Sequence, residues 1–97
     1  MRPGHPPTRP ALVARAASQG ATDLYASWNG DTQVAYWQVL AGDTPGSMHP
    51  LGPPAARTGF ETQIRRGSRW PDWAVEALDA SHRFLRASLV ATMPSGV

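Results

Sequence analysis

The chain has 97 residues, enough for one domain with a core of modest size. It contains no cysteine, which excludes a disulfide framework and a thiolate metal site. Nine basic against seven acidic residues leave a net charge of +2, too weak a field to point to nucleic acid.

All the basic residues are arginine, which with the alanine, glycine and proline content fits a GC-rich genome and says nothing of function. Nine glycines and ten prolines favour short strands and turns over long helices. No run of about 18 apolar residues exists, so the sequence predicts no membrane span.

In chain order, residues 1–10, MRPGHPPTRP, read as a disordered Pro-rich leader without the apolar centre of a secretion signal. Residues 11–92 read as a β-sandwich domain and 93–97 as a tail. ALVARAA, residues 11–17, suits a short helix by propensity or an edge strand after Pro10; a first strand is favoured because everything after it reads as β. Residues 24–28 alternate, with Leu24, Ala26 and Trp28 on one face and Tyr25 and Ser27 on the other. Asn29-Gly30, lengthened by Asp31 and Thr32, suits a tight turn into residues 34–41, so the two runs are predicted to form a hairpin. In the second run Ala35, Trp37, Val39 and Ala41 face one way, and Tyr36, Gln38 and Leu40 the other. The Pro-rich segment 44–54 reads as a loop with a short edge strand.

Residues 58–65 alternate again, with Phe60, Thr62 and Ile64 facing in. Residues 73–79 and 84–90 complete the set, separated by a turn at 79–83. About seven strands at roughly ten-residue spacing predict an all-β fold, an immunoglobulin-like or fibronectin type III-like sandwich. Its predicted core is Trp28, Trp37, Val39, Phe60, Ile64, Val75 and Ala77.

Few residues suit chemistry. His5, His49 and His82 lie in a leader, a loop and a turn, with no ligand-pair or acid–base spacing. The residues therefore point to no catalytic, cofactor or metal site. Arg57, Arg65, Arg66 and Arg69 form a basic cluster beside Trp70. Neighbouring Glu61, Asp72 and Glu76 make it a solvated sheet edge rather than an anion site. Trp70 caps the sandwich end or packs on a neighbouring domain. On the outer faces, Tyr25, Tyr36 and Leu40 are predicted to form one apolar patch suited to an interdomain contact.

Three segments carry a resemblance. LYASWNGDTQVAYWQVLAG from Leu24, RTGFETQI from Arg57 and AVEALDAS from Ala74, followed by the strand near Leu85, resemble the C-terminal β-sandwich of the arylsulfotransferase family of actinobacteria and fungi. The most specific part is the core from Ser27 to Val39. The resemblance implies a parent enzyme whose β-propeller transfers sulfuryl groups between phenols. The histidines and arginine that do so would lie upstream of the matched part. This chain is therefore expected to be a non-catalytic accessory domain, with a β-propeller domain or a second copy of itself as partner. The alternative is a free-standing fibronectin-like module that binds a glycan or a protein. His82 and Arg86 stand where the family usually or often has glycine, and Pro71 and Asp72 interrupt the approach to a strand.

Overall fold

The computed structural model describes residues 9–28 and 33–93. The predicted turn at 29–32, His5 with most of the predicted leader, and the predicted tail beyond Met93 lie outside the described residues. Among the described residues nine strands form: β1 Ala11–Ala16, β2 Thr22–Ser27, β3 Tyr36–Gly42, β4 His49–Pro50, β5 Ala55–Ala56, β6 Glu61–Arg66, β7 Asp72–Leu78, β8 Phe84–Ala87 and β9 Ala91–Thr92. One sheet has the order β1-β2-β6. The other has the order β4-β3-β7-β8, with β5 also on β3 and β9 also on β7. All pairings are antiparallel. The fold is an all-β sandwich of the immunoglobulin-like class, in which the chain crosses between sheets after the second strand.

That crossing corrects the predicted hairpin. β2 and β3 do not pair; they belong to different sheets. Alternation alone carries no information about which strand lies alongside, so both strands were legible and their pairing was not.

The core is the layer between the sheets. Leu24, Ala26 and Trp28 from β2 and its end meet Trp37, Val39 and Ala41 from β3. Ile64 of β6 and Trp73, Val75 and Ala77 of β7 complete it. Trp37 and Trp73 are its largest members, at 1% and 0% exposure. Trp73 donates its indole N–H to the Trp70 carbonyl at 2.9 Å. Trp37 Nε1 is buried without a partner, an orphan donor that costs about 1–3 kcal/mol.

Of the predicted core, Phe60 is the exception, at 66% exposure. Its parity matches Thr62 and Ile64, but the strand begins only at Glu61. Gly59 has φ +59°, and the Thr62 hydroxyl accepts the Thr58 N–H at 2.9 Å, so the chain is still turning at Phe60. Asp72, expected to interrupt the approach to a strand, lies inside β7, buried, with its carboxylate accepting the Thr92 hydroxyl at 2.8 Å.

The final strand is also different from expectation: residues 84–90 are not continuous. Leu85 is an extra residue where Phe84 pairs with Leu78 and Arg86 with Ala77. Leu89 and Val90 together face the single residue Ala74, because Ser88 bonds to Val75 and Ala91 pairs with Trp73. Two such bulges make this edge irregular and a poor template for a further strand. The hairpin between β7 and β8 is intact. Asp79 closes it, its carboxylate accepting the N–H of Ser81 and of Arg83 at 2.9 Å each.

Replacing Trp37 tests this core. Trp37→Ala should cost about 3–5 kcal/mol in a denaturant melt. Trp37→Phe, which removes the orphan donor while keeping an aromatic ring, should cost less than half as much. A loss under about 1 kcal/mol for the alanine variant would mean that the ring is not in the core.

Candidate functional site

The arginine cluster is built into the scaffold. Arg57 reaches the Gly59 and Val34 carbonyls. Arg69 reaches those of Ala17 and Ala21. Arg66 donates to Leu51 at 3.0 Å and Pro53 at 2.9 Å, tying β6 of the smaller sheet to the loop beside β3 of the larger one. Burial lowers the Arg66 pKa from its ordinary value. Gly52, with φ +80°, lies under this side chain; a Cβ there would come within 3.1 Å of Arg66 Nε. The cluster is thus a set of loop tethers rather than the solvated sheet edge expected from sequence. Sequence could not reveal this, because the acceptors are backbone carbonyls remote along the chain.

Arg65 differs. Its guanidinium grips Asp23 with two of its nitrogens, Nε donating to Oδ1 at 2.7 Å and Nη2 to Oδ2 at 3.1 Å. This hydrogen bonding, chiefly, holds the Asp23 carboxyl below its ordinary value and raises that of Arg65.

The described histidines are packed against rings. His49 meets Trp70 edge-on, centroids 5.1 Å apart. His82 stacks on Tyr36 at 4.3 Å and 17°. Trp70 itself is half-buried against the core. Among the described residues no group of three or more His, Asp and Glu side chains could hold a metal ion. No described helix is long and apolar enough to cross a membrane.

The predicted patch of Tyr25, Tyr36 and Leu40 does not exist as one surface. Tyr25 lies on β2 and the other two on β3, so the strand alternation turns them to opposite outer faces of the sandwich. Each face has its own character.

On the larger sheet the register places Ala56, Tyr36, Leu78 and Phe84 in one row across four strands. Pro50, Leu40 and Ala74 form a parallel row on the far side of the Gln38–Glu76 pair, with the bulged Leu89 and Val90 at its end. Phe84 and Leu89 are exposed, at 59% and 69%. Leu78 and Ala74 are buried yet stand outside the core cluster, as the outer side of a central strand requires. The turn at 79–83 folds back on this face, bringing His82 onto Tyr36. His82 does so at φ +64°, a left-handed conformation unusual for a residue with a side chain.

Between the two apolar rows lie Gln38 and Glu76, directly opposite each other. The Gln38 amide nitrogen donates to the Val39 and Gly52 carbonyls, each at 3.0 Å. Glu76 has no hydrogen-bond or ion-pair partner among the described residues.

The smaller sheet carries the second face. Tyr25 sits at its centre, between Val13 and Gln63. A shallow groove of about 220 Å³ is lined by Val13, Arg15, Tyr25 and Glu61. Arg15 and Glu61 have no partners among the described residues.

Comparison of the chain with protein families, with characterised proteins and with solved structures finds no match.

The Asp23–Arg65 pair predicts a pH dependence. Asp23 is depressed in the folded state, so its stabilising contribution is complete above its ordinary pKa of 3.8 and is lost as pH falls through the lower folded value. An NMR titration should find Asp23 ionising below 3.8 in the wild type and at about 3.8 in Arg65→Met. Equal values in the two proteins would contradict the pairing.

Proposed function

We propose that this chain is a non-catalytic accessory β-sandwich of an arylsulfotransferase-like protein, docked on a neighbouring domain through the outer face of its larger sheet. The observation that carries this reading is that face: two apolar rows around Gln38 and Glu76, with Phe84 and Leu89 exposed. Large apolar side chains grouped on one surface favour a contact role. The polar groups that would serve chemistry are engaged elsewhere. Arg57, Arg66 and Arg69 bind backbone, Arg65 binds Asp23, and His49 and His82 pack on rings.

The arylsulfotransferase part rests on the sequence resemblance. Two structural details accord with it. His82, where the family usually has glycine, adopts a positive φ. Arg86, where the family often has glycine, sits at a bulge, a position glycine commonly marks.

The second reading is a module binding a glycan or a protein, and the Tyr25 groove favours it. An aromatic ring between an unpaired guanidinium and an unpaired carboxylate suits a ligand with one apolar side and several hydroxyls. The two readings part on which tyrosine is covered in the cell.

Sulfuryl transfer needs a positioned nucleophile and cations around the sulfuryl oxygens. The purified chain should therefore release no phenol from a chromogenic aryl sulfate in the presence of a phenolic acceptor. Turnover above the blank that disappears in His49→Ala or His82→Ala would contradict the accessory role. Coding DNA for four-stranded propeller blades adjoining this gene would favour the first reading over the second.

A further inference from the structure

The docking face is more specific than its apolar rows suggest, because its polar centre accepts hydrogen bonds and donates none. Both Gln38 amide hydrogens are spent on the Val39 and Gly52 carbonyls. Those carbonyls can only accept, so the amide nitrogen faces them and the amide oxygen remains for a partner. Beside it, the half-buried Glu76 presents a carboxylate, which accepts hydrogen bonds and donates none. Its neighbour on the other side, across the β7–β8 pairing, is Ala87. Among the described residues nothing on the face pairs with this carboxylate. Covered by a purely apolar surface, it would become a buried charge without a partner.

We infer that the occupant of this face is an apolar surface of a neighbouring domain bearing one arginine or lysine opposite Glu76. The inference rests on the docking reading above and adds the chemistry of its partner. A second copy of the chain fits less well. A two-fold axis centred on the face sets Gln38 and Glu76 against one another or against themselves, and acceptor meets acceptor either way. Moving the axis towards the Tyr36 hydroxyl, which can donate, uncovers the Leu40 row.

Area points the same way. Four strands about 4.8 Å apart and seven residues at about 3.3 Å define a face of roughly 450 Å². A stable free-standing interface takes about 800 Å² from each partner. A face of this size suits a domain joined to its partner, where the total of about 900 Å² falls in the interdomain range and the linkage supplies effective concentration.

A charge-reversed copy of the chain serves as the probe, since Glu76→Arg presents the same apolar rows with a cation at their centre. Isotope-labelled wild-type protein is titrated to millimolar concentration with unlabelled Glu76→Arg protein and, separately, with unlabelled wild type. Amide shifts are followed by NMR. We expect the charge-reversed chain to bind at least about tenfold more tightly than wild type binds itself. The shifts should centre on Tyr36, Gln38, Leu40 and Leu78, and Tyr36→Ser with Leu40→Ser should abolish them. Equal affinity for both chains through the same residues would overturn the inference in favour of a second copy and leave the docking face standing. No shift at these residues with either chain would overturn the inference and the docking face together. Circular dichroism reports whether the arginine variant folds. If it does not, Glu76→Gln keeps the side-chain shape, supplies a donor and should move affinity in the same direction by a smaller factor.

Discussion

The sandwich depends on Trp37 and Trp73, buried on the inner face of two paired strands of the larger sheet, opposite Ala77 and Ala41 respectively with Val39 and Val75 between them, in one core with Leu24, Ala26 and Ile64 of the smaller sheet. Immunoglobulin-like sandwiches of antibody type place a tryptophan on the strand equivalent to β3, against a disulfide between the sheets. Here no cysteine exists, and ring burial with tight side-chain packing must hold the sheets together. The arginines add a second device. Arg66 joins the smaller sheet to the loop flanking the larger, and Arg69 joins the approach to β7 to the start of β2. A domain of this size has a stability of only several kcal/mol, so a few such ties matter.

The same construction frees the outer surfaces for other uses. The core takes alternate residues of each strand, and the remaining ones face outward on two unlike surfaces. The smaller sheet turns out charged and polar groups around Tyr25. The larger turns out apolar rows around two acceptors. The β8–β9 edge, with two bulges and the inward-set Arg86, is guarded against strand pairing. Its exposed Phe84 and Leu89 therefore act as part of a face rather than of a sheet-extending edge.

Most strands were legible because their signal is local. Period-two alternation around Leu24, Trp37, Ile64 and Val75 is visible in any register, and it set those side chains inward correctly. Pairing was not legible. Asn29-Gly30 suits a hairpin, but whether β3 lies beside β2 or across from it depends on which sheet completes the core. That single error merged Tyr25 with Tyr36 and Leu40. Phe60 failed because strand parity cannot reveal where the strand starts. The arginine tethers and the spent amide of Gln38 depend on backbone carbonyls, which every residue has and no sequence pattern marks.

The central claim is that the outer face of the larger sheet is the working surface, with Tyr25 on the opposite side as an internal control. Hydroxyl-radical footprinting compares side-chain oxidation in the cell with that of the purified chain. The account predicts that Tyr36 and Phe84 are protected in the cell and that Tyr25 and Val13 are not. Protection of Tyr25 with Tyr36 and Phe84 left open would contradict it and place the contact on the smaller sheet.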